Sequence, residues 1–375
     1  MEKVYRVVQW TSGGVAKAAV KGILSHPDLE LVGMFAFSPE KVGKDIGELV
    51  GLEPLGIAAT DDIQALVNLK PDVVSYNPLY PNVDHLVRLL EAGINIVTTC
   101  NFLTGFHLDY CEDRYGPNAR QRVQDAAVKG GASIFGTGMN PGHANYQGCV
   151  MASVCESFSH LRVTEVVDNM VPFLGDENVQ VMGFGQPLDS SELYAVQKAE
   201  CSCFGDAIEM MAQVLGLELD DIRFQTEYAP AACDFDIPGG QIKKGTIGGM
   251  RLRWEGLVNG EPVLENQQIW LCGEYTEGAD KWRNPGQHGY LVDIQGSPHV
   301  HNMMLPIPAV DFSAMTKEAV QAHGMSITAM PAVNAIPAVC AATPGIVTYK
   351  HLATVSAAGR YKGGPPRAGL SSVTI

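Results

Sequence analysis

An apolar run, Val4-Tyr5-Arg6-Val7-Val8-Gln9-Trp10, passes directly into the small-residue turn Thr11-Ser12-Gly13-Gly14-Val15-Ala16, where helical periodicity begins. Strand, tight turn and helix in that order make the first half of a βαβ unit, and the pattern then repeats. Apolar strand candidates at 4–10, 29–37, 72–76, 95–99 and 133–136 alternate with helix-like stretches at 16–24, 62–69, 83–92 and 118–129. Such alternation predicts an α/β fold: an N-terminal Rossmann domain, a doubly wound parallel sheet with helices on both faces.

Gly136-Thr137-Gly138-Met139-Asn140-Pro141-Gly142 breaks that rhythm with turn residues. Beyond it, helices are expected at 144–158 and 206–215. Strands are expected at 162–169, 223–235, 245–258, 269–274, 290–295 and 300–305. Most of these strands alternate apolar and polar residues, as half-buried antiparallel strands do. The expected division is a dinucleotide-binding domain at 1–142, a C-terminal α+β domain for substrate and oligomerisation at 143–325, a helix returning to the first domain within 326–355, and a Gly/Pro-rich tail at 356–375.

At 375 residues, two domains are the better expectation than one. A net charge of -15 argues against a nucleic-acid partner, which would require clustered Lys and Arg. Nine cysteines scattered along a long chain do not form a disulfide framework and read as reduced thiols. The start of the chain shows no charged-then-apolar leader. The apolar stretch 327–347 is interrupted by Pro331, Asn334, Pro337 and Pro344, so no membrane span is expected and a cytoplasmic location is.

A turn of small residues at a helix N-terminus suits a pyrophosphate, because unpaired N–H groups and the helix dipole both favour negative charge. Thr11, Ser12, Gly13, Gly14 and Val15 are therefore the candidate dinucleotide turn, although Thr11 and Ala16 stand where the usual G-x-G-x-x-G has glycine. The second strand ends in Phe35-Ala36-Phe37-Ser38-Pro39-Glu40-Lys41 without a carboxylate at its tip. Ser38 and Lys41 would accept a 2′-phosphate, so NADP(H) is favoured and NAD(H) remains possible.

Ligands in open parallel sheets bind outside the carboxyl ends of the strands. Asn77, Pro78, Thr99 and Asn101 follow two such ends, and Asn140, His143 and Asn145 lie in the loop leaving the first domain. His143 is the first choice for proton transfer, with Asn101 and Asn145 beside it as catalytic candidates. Tyr80, Phe102, Met139 and Phe184 are candidates for an apolar substrate pocket. His299 and His301, flanking Val300 on a strand, would wall it on one side. No third ligand stands at metal spacing, so no metal is expected. G-x-S-x-G and Walker sequences are absent, which removes those nucleophilic and phosphoryl-transfer chemistries.

Val7-Val8-Gln9-Trp10 with its turn, 38–45, 136–142, and Val333-Asn334-Ala335-Ile336-Pro337 with Pro344-Gly345 together resemble the dihydrodipicolinate-reductase-like oxidoreductases. Within that group the chain is similar to the 2,4-diaminopentanoate dehydrogenases and native NAD(P)-dependent amine dehydrogenases. The resemblance implies the Gly13-Gly14 turn on the pyrophosphate, Ser38 and Lys41 near the adenosine ribose, Asn140 near the nicotinamide, and Asn334 bracing the same pocket. It also implies a second domain that forms the subunit contact, in a homodimer or homotetramer.

The amine enzymes of this group imply an acidic residue in the loop that here reads Asn101-Phe102-Leu103-Thr104-Gly105. Its absence favours an NAD(P)-dependent reductase or dehydrogenase acting on a C=O or C=N carbon of a hydrophobic small molecule. An amine dehydrogenase and a non-catalytic dinucleotide sensor are the alternatives.

Overall fold

The computed structural model describes residues 3–175, 182–282, 289–308 and 316–360, so most of the expected C-terminal tail lies outside the described residues. The chain divides into two compact units, one holding the residues up to Met139 and those after Pro306, the other Asn140–Pro306.

The first unit is built on a seven-stranded sheet. Its strands are β1 (Tyr5–Trp10), β2 (Leu29–Phe35), β3 (Ala59–Thr60), β4 (Val73–Tyr76), β5 (Asn95–Thr98), β6 (Ser133–Gly136) and β15 (Gly345–Val347). They lie in the order β15-β6-β5-β4-β1-β2-β3 and every pairing is parallel. The order reverses at β1, which neighbours both β4 and β2, so the ligand crevice of such a sheet opens at the carboxyl ends of β1 and β4.

Local chemistry explains several helix starts. The Asp62 side chain accepts from Gln64 and Ala65 N–H ahead of α3 (Ile63–Asn68), and Asn82 accepts from His85 N–H ahead of α4 (Val83–Glu91). Trp10 lies fully buried and stacked on Phe35, ring centroids 4.1 Å apart, with Tyr76 on a second side. These rings join Leu86, Leu89, Leu90 and Ile96 in a hydrophobic core of the unit.

The late helix, expected within 326–355, begins earlier: α11 runs Lys317–Cys340. It contains Pro331 and Pro337, each of which removes one intrahelical hydrogen bond, yet its apolar side packs on α1 (Gly14–Leu24), β4, β5 and β6. That packing outweighs the broken ladder. Behind it β15 pairs with β6, so residues after 340 complete the sheet.

The second unit carries a six-stranded mixed sheet. Its strands are β7 (Ser157–Val167), β8 (Asp221–Pro230), β11 (Ile247–Val258), β12 (Glu261–Leu271), β13 (Gly289–Ser297) and β14 (Val300–Met304), in the order β14-β13-β7-β12-β11-β8. A small pair, β9 (Phe235–Ile237) and β10 (Gly240–Ile242), stands apart. Among the described residues, the unit's α-helices are α8 (Ala144–Met151), α9 (Ser191–Glu200) and α10 (Cys203–Leu215).

Several sequence expectations shift here. The helix after the loop ends near Met151, not 158, because Ser157-Phe158-Ser159-His160-Leu161 already alternates polar and apolar residues and belongs to β7. Residues 223–235 form two strands instead of one. The helix Ser191–Glu200, capped by Ser190, is absent from the expected elements, although its cap and Leu193 are visible in the sequence. No helix among the described residues is long and apolar enough to cross a membrane.

Candidate active site

At the end of β1 the chain turns through Thr11, whose φ is 76°, in the left-handed region. The first position of the turn, where the usual fingerprint has glycine, thus adopts the conformation glycine prefers although threonine stands there. For a β-branched residue this stores strain of about 1–2 kcal/mol. Thr11 N–H bonds to the Phe35 carbonyl at 2.9 Å and its hydroxyl to the Asn77 carbonyl at 3.3 Å, which hold the bend. We expect Thr11→Gly to raise stability by roughly 1 kcal/mol in urea denaturation, the relieved strain exceeding the weak hydroxyl bond and the extra chain entropy. A loss of stability would show that the hydroxyl bond matters more.

Ser12 is buried, and Gly13 precedes α1 with φ -71° and ψ -176°, ordinary extended backbone. A Cβ at Gly13 would meet nothing within 4 Å, so the space before the helix N-terminus is open. At Gly14 a Cβ would crowd the Met325 side chain of α11. Val15 is half-buried in the first turn.

Beside this turn, hydrogen bonds join the ends of three strands. Gln9 Nε2 donates to Asn77 Oδ1 at 2.8 Å, Ser75 Oγ to the same oxygen at 2.9 Å, and Asn77 Nδ2 to Thr99 Oγ1 at 2.8 Å. Asn77 and Thr99 are thus brought together with Thr11, while Gln9 Oε1 remains buried without a partner. Pro78 is half-buried after them, and Asn101 is half-buried beyond Thr99. An orphaned acceptor and an open helix N-terminus at the switch point fit a nicotinamide dinucleotide, which offers an anionic pyrophosphate and amide and hydroxyl donors.

Ser38 precedes a single 3-10 turn, Pro39–Lys41, in extended backbone, and its hydroxyl makes no cap hydrogen bond. Lys41 is half-buried and Lys44 exposed. Asp45 in the same stretch does not face a ribose: its carboxylate accepts the N–H groups of Gly47, Leu55, Gly56 and Ile57, and these bonds, that from Leu55 foremost, lower its pKa.

Asn334, expected to brace the pocket, pairs with a residue near the end of the described chain. Its Oδ1 accepts Arg360 Nε at 2.8 Å, and Arg360 also reaches the Gly22 carbonyl and Ser25 Oγ, at the carboxyl end of α1. That end lies about 12 Å along the helix from the Gly13-Gly14 turn.

In the second unit, Asn140 begins a loop in which Gly142 has φ 127°, a conformation only glycine adopts readily. Asn145 is fully buried and its Oδ1 accepts Gly142 N–H at 2.8 Å, so it shapes the loop from within. His143 is half-buried, and burial alone pushes its pKa below the ordinary value, which keeps the imidazole neutral. Its Nδ1 lacks a partner.

Asn140 Nδ2 donates to Glu165 Oε2 on β7 at 3.1 Å, and Trp270 Nε1 on β12 donates to Glu165 Oε1 at 3.0 Å. Glu165 keeps part of its surface, yet surrounding protein desolvates the carboxylate and raises its pKa, with the Trp270 and Asn140 bonds opposing. Sequence reasoning missed this residue. Its signal lay in the period-two register: Leu161 and Val163 are buried on one face of β7, and Glu165 continues that face.

The residues expected to line an apolar pocket differ in burial. Phe102 is fully buried in the core of the first unit, and Phe184 is buried in the second. Met139 is buried, whereas Tyr80 is exposed with the Arg114 guanidinium 4.7 Å from its ring centre. The histidines do not form a pair on one strand face: His299 precedes β14 and its Nδ1 accepts Gly296 N–H, while His301 Nδ1 bonds Asp293 at 2.6 Å. No group of three metal-ligating side chains occurs among the described residues.

The family model for the C-terminal domain of 2,4-diaminopentanoate dehydrogenase matches residues 149–361, more than half of the chain. The chain belongs to the 2,4-diaminopentanoate dehydrogenase C-terminal domain family. This family member is also 28% identical to the amine dehydrogenase of Streptomyces virginiae over 306 residues, covering 78% of the chain and 82% of that protein. The solved amine dehydrogenase of Mycobacterium smegmatis shares its fold, with a TM-score of 0.73 at 20% identity over 96% of this chain and 99% of that one. Against the 4-hydroxy-tetrahydrodipicolinate reductase of Neisseria gonorrhoeae the match is partial: 31% identity over 133 residues, 34% of the chain and 45% of the reductase. As a diaminopentanoate dehydrogenase family member, the protein is an NAD(P)-dependent oxidoreductase acting on a small molecule, which sets aside the binding-only sensor.

Proposed function

We propose that this enzyme moves hydride between the nicotinamide and a C=O or C=N carbon of a hydrophobic small molecule, with NADP(H) preferred to NAD(H). The observation that carries the reading is the joined ends of β1, β4 and β5, where Gln9, Asn77 and Thr99 form a hydrogen-bonded shelf beside an open helix N-terminus. The bound nicotinamide supplies the hydride chemistry. The chain's own part is to hold and orient. N–H groups at the start of α1 face the pyrophosphate, with Thr11, Ser12, Gly13, Gly14 and Val15 shaping the turn. Asn77 and Thr99 orient the nicotinamide end, and Ser38 and Lys41 receive the 2′-phosphate. Asn140 and the neutral His143 attend the polar end of the substrate.

Binding measured by quenching of protein fluorescence tests this directly. NADPH should bind more tightly than NADH. Lys41→Ala should weaken NADPH about tenfold, roughly 1.4 kcal/mol, and leave NADH within about twofold. Equal affinities would remove the preference, and absence of binding by both would overturn the function. The homodimer or homotetramer belongs to the same proposal and is read by light scattering.

A further inference from the structure

We propose that Gln9 is a positioning residue that sets the direction of the hydrogen bonds joining the ends of β1, β4 and β5. In the direction it sets, Asn77 and Thr99 offer hydrogens to the cofactor and select the carbonyl oxygen of the nicotinamide carboxamide. That role rests on the hydride-transfer reading and specifies what the shelf recognises there.

The two ends of a side-chain amide are alike in shape, and only their partners decide which end donates. Gln9 has a deciding partner: its side chain lies 2.8 Å from the Trp10 carbonyl, a main-chain oxygen that can only accept. The group there is therefore Nε2, and its other hydrogen goes to Asn77 Oδ1 at 2.8 Å. Ser75 Oγ donates to the same oxygen at 2.9 Å, which occupies both of its lone pairs. With its oxygen turned to Gln9, the Asn77 amide turns Nδ2 to Thr99 and donates to Oγ1 at 2.8 Å. The Thr99 oxygen is thereby engaged as an acceptor. Its hydroxyl hydrogen, like the second hydrogen of Asn77 Nδ2, is accepted by no described residue.

Gln9 is fully buried, so it acts through Asn77 and touches no ligand. Both of its hydrogens are committed and its Oε1 is left without a partner, a cost that a leucine or methionine filling the same space would not carry. Ser75 cannot set the direction in its place, because a hydroxyl either donates or accepts. Without Gln9 the Asn77 amide is free to turn over. Thr99 then donates to Asn77 Oδ1, and its hydrogen is withdrawn from the crevice. Two hydrogens at these strand ends match a carbonyl oxygen, and the amide nitrogen of the carboxamide gains nothing from them.

The test is binding of NADP⁺ and two of its analogues, read by quenching of protein fluorescence. The 3-acetylpyridine analogue keeps the carbonyl oxygen and loses the amide nitrogen, so it should bind the parent within about threefold of NADP⁺. The thionicotinamide analogue exchanges that oxygen for sulfur, a weaker acceptor, and should bind about tenfold more weakly. Gln9→Leu should shrink the loss with the thio analogue to within about twofold. Ser75→Ala also removes a bond to Asn77 Oδ1 but leaves the Gln9 donor, and should keep the difference between analogues. A merely structural role would move the two variants alike. A second readout needs no cofactor: in the ligand-free protein, nuclear Overhauser effects should link the Asn77 Nδ2 hydrogens to the Thr99 methyl group in the parent and in Ser75→Ala, and weaken in Gln9→Leu. Tighter binding of the thio than of the acetylpyridine analogue, equal losses with both, or an unchanged difference in Gln9→Leu would overturn the assignment. Should Gln9→Leu fail to fold, the parent's analogue series and Overhauser effects decide the direction. If the parent bound no dinucleotide, the hydride-transfer reading would fall, while the Overhauser effects still decided how Asn77 is turned.

Discussion

Gly13→Asp is expected to weaken NADPH binding by at least a hundredfold, about 2.7 kcal/mol, while the protein stays folded and becomes slightly more stable. The backbone at Gly13 is extended and a side chain there meets nothing, so the fold accepts the substitution. An aspartate at this position caps α1, which has no side-chain cap, and places negative charge at the positive end of its dipole, worth about 1 kcal/mol. The same charge would repel a pyrophosphate from that end. Opposite signs for melting temperature and affinity, read by calorimetry and fluorescence titration, separate a ligand effect from damage to the fold. Unchanged affinity would place the pyrophosphate elsewhere.

Gly136→Ala should do the reverse, unfolding the first unit without touching any ligand. Gly136 ends β6, and a Cβ there would collide with the Phe102 carbonyl and crowd the Leu103 backbone. Neither neighbour is a side chain that can swing away, so the strand and the loop after β5 must separate, at a cost of roughly 3 kcal/mol or more. Gly13→Ala is the matching control, because its Cβ enters empty space. Urea denaturation of the two variants reads the difference; equal midpoints would mean that the loop at Phe102 yields easily.

The first unit was legible because its strands are short apolar runs and its crossovers are capped by Asp62 and Asn82, signals that depend on neighbours in sequence. The site was less so. Asn77 and Thr99 could be named from their position after strand ends, but the bonds tying them to Gln9 and Thr11 depend on the order of β1, β4 and β5, which periodicity does not encode. The bond that Arg360 makes to Asn334 was not legible, because the two residues lie 26 positions apart. His299 lies in the turn before β14, one residue short of the alternation that would have set it beside His301. Glu165 went unnoticed because a carboxylate in strand register reads as an outward residue until the face of Leu161 and Val163 is fixed.

The pairing of β15 with β6 bears on how the molecule is made. Gly345 hydrogen-bonds to the Ala132 carbonyl, and Ile346 N–H to the Gln124 side chain of the helix Ala119–Gly130, across more than two hundred residues of intervening chain. During synthesis the six strands from β1 to β6 emerge first, yet their sheet keeps an open edge at β6 until the second unit has been translated. An uncovered parallel edge invites pairing with the wrong partner, and contacts of such long range form slowly. The unit that begins the chain is therefore the last to finish folding.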